Sequence, residues 1–419
     1  MFESNLNKEQ PKIMHIDLNS AFATIEQQAH PSLRNKAIGI TNRISPNCCI
    51  IAASYQAKSI GIKVGMGLNE AKKINPEFII LESDPAKYHY IYQQLVSIMK
   101  NYSPKIKMKS IDEGIIDFHN TTNLINQTIL RKIGIEIKET IKQRLGATIT
   151  VNIGIGSNQF LAKLAASLHK PDGMDIIDYH NLTNTYKNLK LTDLPGIAEH
   201  YQARLNAFGV YSPLEFLNTT ADNLKRFVFH SNVGEDWYYR LRGYEIDNNL
   251  TKLGHVGRQW VLNKPTNDQS FLASSFQYLC QTTGKKLRYK NVDARGLLVW
   301  LRFTNGENWY LRKMYKTSFY SDHDIYQRAI YLLNQRPTNL NVQTMGITCY
   351  QLTKTARNQI SLFDNINKNN WLTDAVDTIN EQYGIFKIFT ANSLNSTKLV
   401  KQKIPFGGTE YFNLLIESN

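Results

Sequence analysis

Cysteine is scarce in this chain of 419 residues: of the four present, Cys48 and Cys49 are adjacent and Cys280 and Cys349 lie far along. That pattern gives neither a disulfide framework nor metal-site spacing, so reduced thiols in a cytoplasm are expected. Long apolar runs are also missing. Nothing approaches the roughly 18 residues of a membrane span, and the start, MFESNLNKEQPK, has no apolar stretch of the kind a secretory leader carries. Neither a leader nor a membrane span is expected. No internal repeat recurs at a fixed period, which sets aside a solenoid. Acidic residues are the remaining shortage: 35 Asp and Glu face 49 Lys and Arg, leaving a formal charge of +14. Such a field favours polyanions. Residues 251–355 hold 15 Lys and Arg against 5 Asp and Glu, so +10 of the excess falls in a quarter of the chain. Without a membrane segment, the expected polyanion is nucleic acid.

The length exceeds what one hydrophobic core usually serves, so two to four domains are expected. Ile13–Ile16 is a short apolar run ending at Asp17, followed by SAFATIEQQ with Phe22 and Ile25 at helical spacing. Strands are expected at 37–41 and 48–53, then a helix over 54–60 that stops at Gly61. Residues 85–102 carry Tyr88, Ile91, Tyr92, Leu95 and Ile98 on one helical stripe. MKSI and GIIDF then flank Asp112-Glu113, before a helix at 124–144, the strand TITVNIGI and a helix at 158–168. A βαββαβ order with helices on one face is the ferredoxin-like arrangement. Residues 191–240 read as helices with a hairpin at LPGIAEHYQARLNAFGV, its second helix apolar. Strands around 254–262, 294–303, 307–315 and 344–352, with helices at 268–289 and 322–335, predict a second α/β module; a polar tail with a helix at 371–383 follows.

Asp17 ends the first strand, and Asp112 and Glu113 sit between two more, so three carboxylates can converge at one sheet edge. Carboxylates on rigid elements can hold two divalent ions about 3.5 to 4 Å apart for phosphoryl chemistry. Strand alternation sends Asp112 and Glu113 to opposite faces, so joint use needs a bend, for which Gly114 gives freedom. On spacing alone, a solvated hairpin tip with Asp17 as a helix cap is the commoner explanation of such residues.

The segments IDLNSAFATIE, IIAASYQAKSIGIKVGM, SIDEGIIDF, GIGSNQFLAKLAASLHKPDGM and LPGIAEHYQARLNAFGV resemble, in order and spacing, the signature segments of Y-family DNA polymerases, nearest the bacterial polymerase IV and UmuC types. The resemblance spans about residues 12–355. It implies an α+β right-hand polymerase: a ferredoxin-like palm (10–20 and 85–173), small fingers (21–84), a helical helix-hairpin-helix thumb (174–242), a linker (243–252), an α/β little finger (253–355) and a tail from 356 to 419. It makes Asp17, Asp112 and Glu113 the catalytic metal ligands, aided by the Leu18 carbonyl, with two Mg²⁺ ions as cofactor and Mn²⁺ able to substitute. Phe22 becomes the steric gate against a 2′-hydroxyl. Tyr55, Lys58 and Lys170 grip the triphosphate, and Ala21, Cys49 and Gly65 line the nucleotide. Small side chains at Cys49 and Gly65 leave the roof over the nascent pair without bulk.

The sequence departs from the family pattern in places. Lys58 stands where Arg is usual, Asn19 matches the UmuC type, Gln159 replaces a common Lys and Ala198 a second hairpin glycine. Lys lacks the bidentate fork of Arg, which loosens phosphate orientation. Gly196 and Ala198 in the hairpin, and the basic Lys285, Lys286, Arg288, Lys290, Arg312 and Lys313, are the expected DNA contacts. Gln359-Ile360-Ser361-Leu362-Phe363 resembles a sliding-clamp docking peptide, with Gln359, Ser361, Leu362 and Phe363 as its contacts. Implied partners are primer-template DNA, dNTPs and the bacterial clamp, for a monomer acting in error-prone translesion synthesis without proofreading. Two rivals are a non-catalytic DNA- and clamp-binding accessory and a nucleotide cyclase with a similar palm; DNA binding with a steep salt dependence separates the polymerase from the cyclase.

Overall fold

The structure, a computed structural model, describes residues 5–45, 48–121, 125–248, 252–354, 366–383, 387–389 and 391, with backbone alone for 366–370. It comprises two compact units, the first reaching Asn249 and the second starting at Leu250.

In the first unit, β1 (Ile13–Leu18) leads into α1 (Ala21–Ala29) through Ser20, whose φ of 48° is left-handed. Next come β2 (Ile38–Thr41), β3 (Ala52–Ala53), α2 (Tyr55–Ser59), α3 (Leu68–Ile74) and β4 (Ile79–Glu82). They form a three-stranded sheet, ordered β3-β2-β4, around Ile50, Ala57, Leu68 and Phe78. Ser54 starts α2 by accepting the Ala57 N–H, satisfying one of the orphan donors of a helix start. The strand expected at 48–53 is cut to Ala52–Ala53, because the preceding residues pair elsewhere. Ile50 N–H donates to Met66 O at 2.9 Å, and Cys49 bridges Gly67.

The chain then builds α4 (Pro85–Lys100), β5 (Ile106–Met108), β6 (Glu113–Asp117), α5 (Gln127–Leu145), β7 (Val151–Gly156), α6 (Gln159–Leu168) and β8 (Met174–Ile177). Their sheet runs β5-β6-β1-β7-β8, with antiparallel neighbours from β5 to β7 and β8 parallel to β7. This is the expected βαββαβ order with one added strand. Met99 of α4 lies against Gly114, and Gly134 of α5 against Ile153, so both helices cover one face. α6 covers the other, a departure from helices on one face only. Gly154 and Gly156 allow it, since a Cβ at either would strike the backbone of α6 near Ala162.

Helices follow: α7 (Leu182–Lys187), α8 (Glu199–Ala207), α9 (Pro213–Asn218), α10 (Ala221–Asn223), which continues as a π-helical turn over Leu224–Val228, and α11 (Val233–Leu241). They share a core with α6 through Phe160, Leu164, Phe216 and Trp237. The hairpin differs from expectation on both sides. Leu191–Asp193 before it is a 3₁₀ turn, and α8 buries only Leu205, because EHYQARLNA has too few apolar residues to form a stripe.

The second unit contains β9 (His255–Thr266), α12 (Gln269–Tyr289), β10 (Val292–Phe303), β11 (Asn308–Phe319), α13 (Asp322–Leu333) and β12 (Val342–Lys354). Its antiparallel sheet is ordered β11-β10-β12-β9. Period-two burial of Leu297, Val299 and Leu301, and of Met345, Ile347 and Cys349, turns one face to the core shared with Leu272 and Phe276 of α12 and Ile325 and Ala329 of α13. The helix α14 (Ile366–Tyr383) belongs to the same unit. Residues 359–363 lie outside the described residues.

Candidate active site and nucleic-acid surface

The end of β1 is where the acidic residues meet. Asp17 pairs with Glu113 across β1 and β6, and Leu18 N–H donates to Asp112 O at 2.9 Å. Asp112 lies outside the strand, in the turn before β6, which supplies the bend that strand alternation requires. Ser110 shapes that turn: its hydroxyl accepts from Glu113 N–H at 3.1 Å and donates to the Asp112 carboxylate.

The three carboxylates are compensated differently. Lys170 Nζ lies 2.5 Å from Asp17 Oδ2. Lys163 Nζ lies 2.8 and 3.0 Å from the two Glu113 oxygens, and buried His15 places Nε2 3.2 Å from Oε2. Burial would raise Glu113, but the hydrogen bonds and charges of His15 and Lys163 outweigh it and bring the carboxyl down to about 2. Burial pushes Asp112 above the usual carboxylate range; the Ser110 bond opposes this, and the charges of Asp17 and Glu113 reinforce it. Among the described residues, the group able to bring three ligand atoms within 4.8 Å of one another is His15, Asp17 and Glu113. Asp112 stands beside that group with its carboxyl turned to Ser110. A donor set dominated by carboxylate oxygens, with one acid held under like-charge strain, fits a hard divalent cation.

Of the residues expected at the nucleotide, Tyr55, Lys58 and Lys170 gather nearby. Lys58 Nζ lies 2.7 Å from Ser20 Oγ and 4.8 Å from the Tyr55 ring centre. Its ammonium is lowered by burial and by the nearby charge of Lys170, so the two cations converge. Tyr55 is raised by burial, and its hydroxyl reaches Asn19 Oδ1 at 3.3 Å. Ala21 and Phe22 are buried at the start of α1, and Phe22 stacks on Tyr88 with ring centres 4.5 Å apart. Gly65 N–H donates to Ile50 O at 2.8 Å beside exposed Cys49, so those two small residues adjoin. In the hairpin, Gly196 has a φ of 95° and Ala198 caps α8 without a side-chain bond. Sequence reasoning passed over His15, Lys163 and Ser110. His15 was legible by alternation with Asp17, whereas Lys163 required knowing that α6 crosses this sheet face.

The sequence matches the impB/mucB/samB family over residues 16–167 and that family's C-terminal domain over 255–362. The chain belongs to the Y family of DNA polymerases. DNA polymerase IV of Staphylococcus aureus strain Newman is 26% identical over 359 residues, covering 84% of this chain and 98% of the relative; the protein of strain JH9 gives the same figures. Among solved structures, the Y-family DNA polymerase chimera Dbh-Dpo4(243-245)-Dbh shares the fold with a TM-score of 0.69 at 21% identity, over 81% of this chain and 98% of that one. DinB from Sulfolobus solfataricus gives 0.54 at 20%, over 82% and 99%. The protein is therefore a DNA polymerase with the Y-family fold, a family that uses divalent metals. Among its described residues no helix is long and apolar enough to cross a membrane.

In this Y-family polymerase the basic residues of the second unit do not form one surface. Arg288 is a correction: its side chain is 6% exposed, with Nη1 2.7 Å from Asp322 and Nε 2.5 Å from Asp377 of α14. Both edges of the guanidinium are engaged inside the protein, so it is not offered to DNA. Lys285 lines a polar cavity of about 240 Å³ with Asp374, Asp377 and Glu381. Lys286 donates to Gly257 O at 3.3 Å, and its ammonium is lowered by burial and then by the charges of Arg258 and Lys290. Arg312 and Lys313, being adjacent in a strand, point to opposite faces; Lys313 lies 4.6 Å from the Tyr331 ring centre on the helix side. The opposite face, which is helix-free among the described residues, instead carries Arg302 and Arg312 around the cross-strand pair Trp300 and Tyr310. There Trp300 lies over Gly346 and Tyr350 over Gly296, where a Cβ would collide with the rings.

Proposed function

We propose that this polymerase performs template-directed, error-prone synthesis past damaged template positions, adding dNTPs to a primer 3′-hydroxyl by two-metal nucleotidyl transfer. The supporting observation is the meeting of Asp17, Asp112 and Glu113 at one strand end, beside Lys58, Lys170, Tyr55 and Phe22. Asp17, Asp112, Glu113 and the Leu18 carbonyl would hold two Mg²⁺ ions, replaceable by Mn²⁺, which when bound neutralise charge on the attacking and leaving oxygens. Lys58 and Lys170, converging with Tyr55, form a preformed anion site for the leaving pyrophosphate as the bond from O3′ to the α-phosphorus forms. Phe22 closes on C2′ and excludes ribose. Cys49 and Gly65 leave space above the nascent pair, which permits distorted templates and weakens checking.

On this reading the first unit is palm, fingers and thumb, within the boundaries expected from the sequence, and the second is the little finger. Backbone N–H groups at Gly196 and Ala198, with Arg302 and Arg312 on the helix-free sheet face, grip primer-template DNA without reading its sequence. Gln359, Ser361, Leu362 and Phe363 dock on the sliding clamp as a short anchored peptide. The test is extension of a primed template with single dNTPs and Mg²⁺, opposite an intact base and an abasic site. Wild type should extend both, and Asp112→Ala/Glu113→Ala neither. A wild-type protein that binds the primer-template but never extends it overturns the reading in favour of a non-catalytic scaffold.

A further inference from the structure

Beneath Phe22 lies a buried acid that the proposed chemistry does not use. Glu26 is one helical turn beyond Phe22 on α1 and is 4% exposed. The Tyr88 hydroxyl donates to its Oε1 at 2.9 Å, and Lys87 Nζ lies 2.7 Å from its Oε2. The Tyr88 ring, completely buried, stacks on Phe22 at 4.5 Å with an interplanar angle of 24°. One tyrosine thus has its ring under Phe22 and its hydroxyl fixed to Glu26.

A buried carboxylate is costly unless it is paired and hydrogen-bonded, so a fold that needed only packing here would be served as well by an apolar side chain. What the carboxylate adds is direction. A stacked ring pair alone can slide or rotate within its well, but a phenol bonded to a fixed acceptor cannot turn without losing that bond in a dry site. Lys87 in turn holds the second carboxylate oxygen, so the acceptor itself is oriented.

From this geometry we infer that Glu26 is a positioning residue for sugar selection: through Tyr88 it sets the height and tilt of Phe22, and so the clearance left for a 2′-hydroxyl. The inference rests on Phe22 being the sugar gate. Glu26 is held by Tyr88, Lys87 and His30 and contacts none of the proposed metal ligands, so its removal should change discrimination while leaving the rate with the correct sugar nearly intact.

The experiment compares kcat/KM for a dNTP and the matching rNTP in wild type, Glu26→Ala, Glu26→Gln, Tyr88→Phe and Phe22→Ala, and in the double variant Phe22→Ala/Glu26→Ala. Glu26→Ala and Tyr88→Phe should each lower the deoxy-to-ribo ratio about tenfold, mainly through a lower KM for the rNTP, with dNTP kcat/KM within about threefold of wild type. Glu26→Gln, whose amide oxygen can still accept from Tyr88, should recover most of the ratio. In the Phe22→Ala background, Glu26→Ala should change the ratio by less than about twofold, because its effect passes through the ring already removed. If Glu26→Ala fails to fold, Tyr88→Phe removes the same bond with one atom lost and decides the matter. A large loss of discrimination in Phe22→Ala with none in Tyr88→Phe or Glu26→Ala would sink the role of Glu26 and leave the gate standing. No loss in Phe22→Ala would remove the gate itself.

Discussion

The two sheets of this polymerase treat charge in opposite ways. In the first unit, acids on β1 and β6 are gathered at one strand end and each is met by a fixed partner: Asp17 by Lys170, Glu113 by Lys163 and His15. In the second, a sequence rich in Lys and Arg is divided between two faces, and part of it is spent internally on Asp322 and Asp377. Gathered charge of one sign costs stability and persists where chemistry requires it. Distributed charge of mixed sign builds structure. Charge count therefore pointed to the second unit, and geometry divides that charge between two sheet faces.

The comparison breaks most sharply at Asp112. Asp112→Asn should reduce primer extension by roughly 10³-fold while leaving the melting temperature of the metal-free protein unchanged or raised, since it removes a carboxylate pressed by burial and by Asp17 and Glu113. Steady-state extension and a thermal melt in EDTA check the two halves. A matching fall in melting temperature would make Asp112 a structural residue.

The complementary test is Arg288→Met. This should cost about 1 to 3 kcal/mol, because the half-buried carboxylates of Asp322 and Asp377 would lose the guanidinium that pairs them. Urea denaturation reads the loss. The salt dependence of duplex binding should stay as in wild type; a shallower slope would restore Arg288 as a phosphate contact.

How much of this was legible beforehand follows the same division. The meeting of the carboxylates at one sheet edge and the βαββαβ order were readable because each depends on local pattern, an apolar run ending in Asp17 and strands bracketing Asp112-Glu113, whereas their role as metal ligands came only from the family resemblance. The strand at 48–53 was misjudged in length because Cys48–Ile50 find partners at Met66–Leu68, a pairing that alternation cannot reveal. The Arg288 error has a similar cause. KKLRYK reads as a basic patch until Asp377, 89 residues away, is seen to fill the guanidinium. The ring-over-glycine contacts at Gly346 and Gly296 depend on strand order, which the sequence did not state.

The helix-free face sharpens the contrast at smaller scale. Arg302→Ala and Arg312→Ala should each flatten the salt slope of primer-template binding by about one unit, as expected for one phosphate contact apiece. Lys313→Ala, on the opposite face over Tyr331, should leave that slope alone. Fluorescence anisotropy across a salt series measures all three. Equal effects from Arg312 and Lys313 would mean that the two faces are not functionally distinct.

The smallest effect belongs to Lys286, a cation placed where its charge is unwelcome. Burial, with Arg258 and Lys290 nearby, lowers its ammonium to about 7, below the ordinary lysine range. Between that value and the unfolded pKa, the unfolded chain binds the proton and the folded one does not, so stability rises with pH across this window. Below about 7 both states are protonated and the full penalty applies. Lys286→Met keeps the apolar stem and removes the charge. It should stabilise the protein at pH 7 by on the order of 1 kcal/mol, a modest figure because the ammonium already donates to the Gly257 carbonyl. The gain should shrink as pH rises toward the unfolded lysine pKa, where wild type has shed the proton in both states. Urea midpoints at pH 7 and 9.5 give the comparison, and a gain independent of pH would assign the effect to packing rather than charge. A basic residue whose removal stabilises the fold without weakening DNA binding would show how far local sequence charge can diverge from the surface that touches nucleic acid.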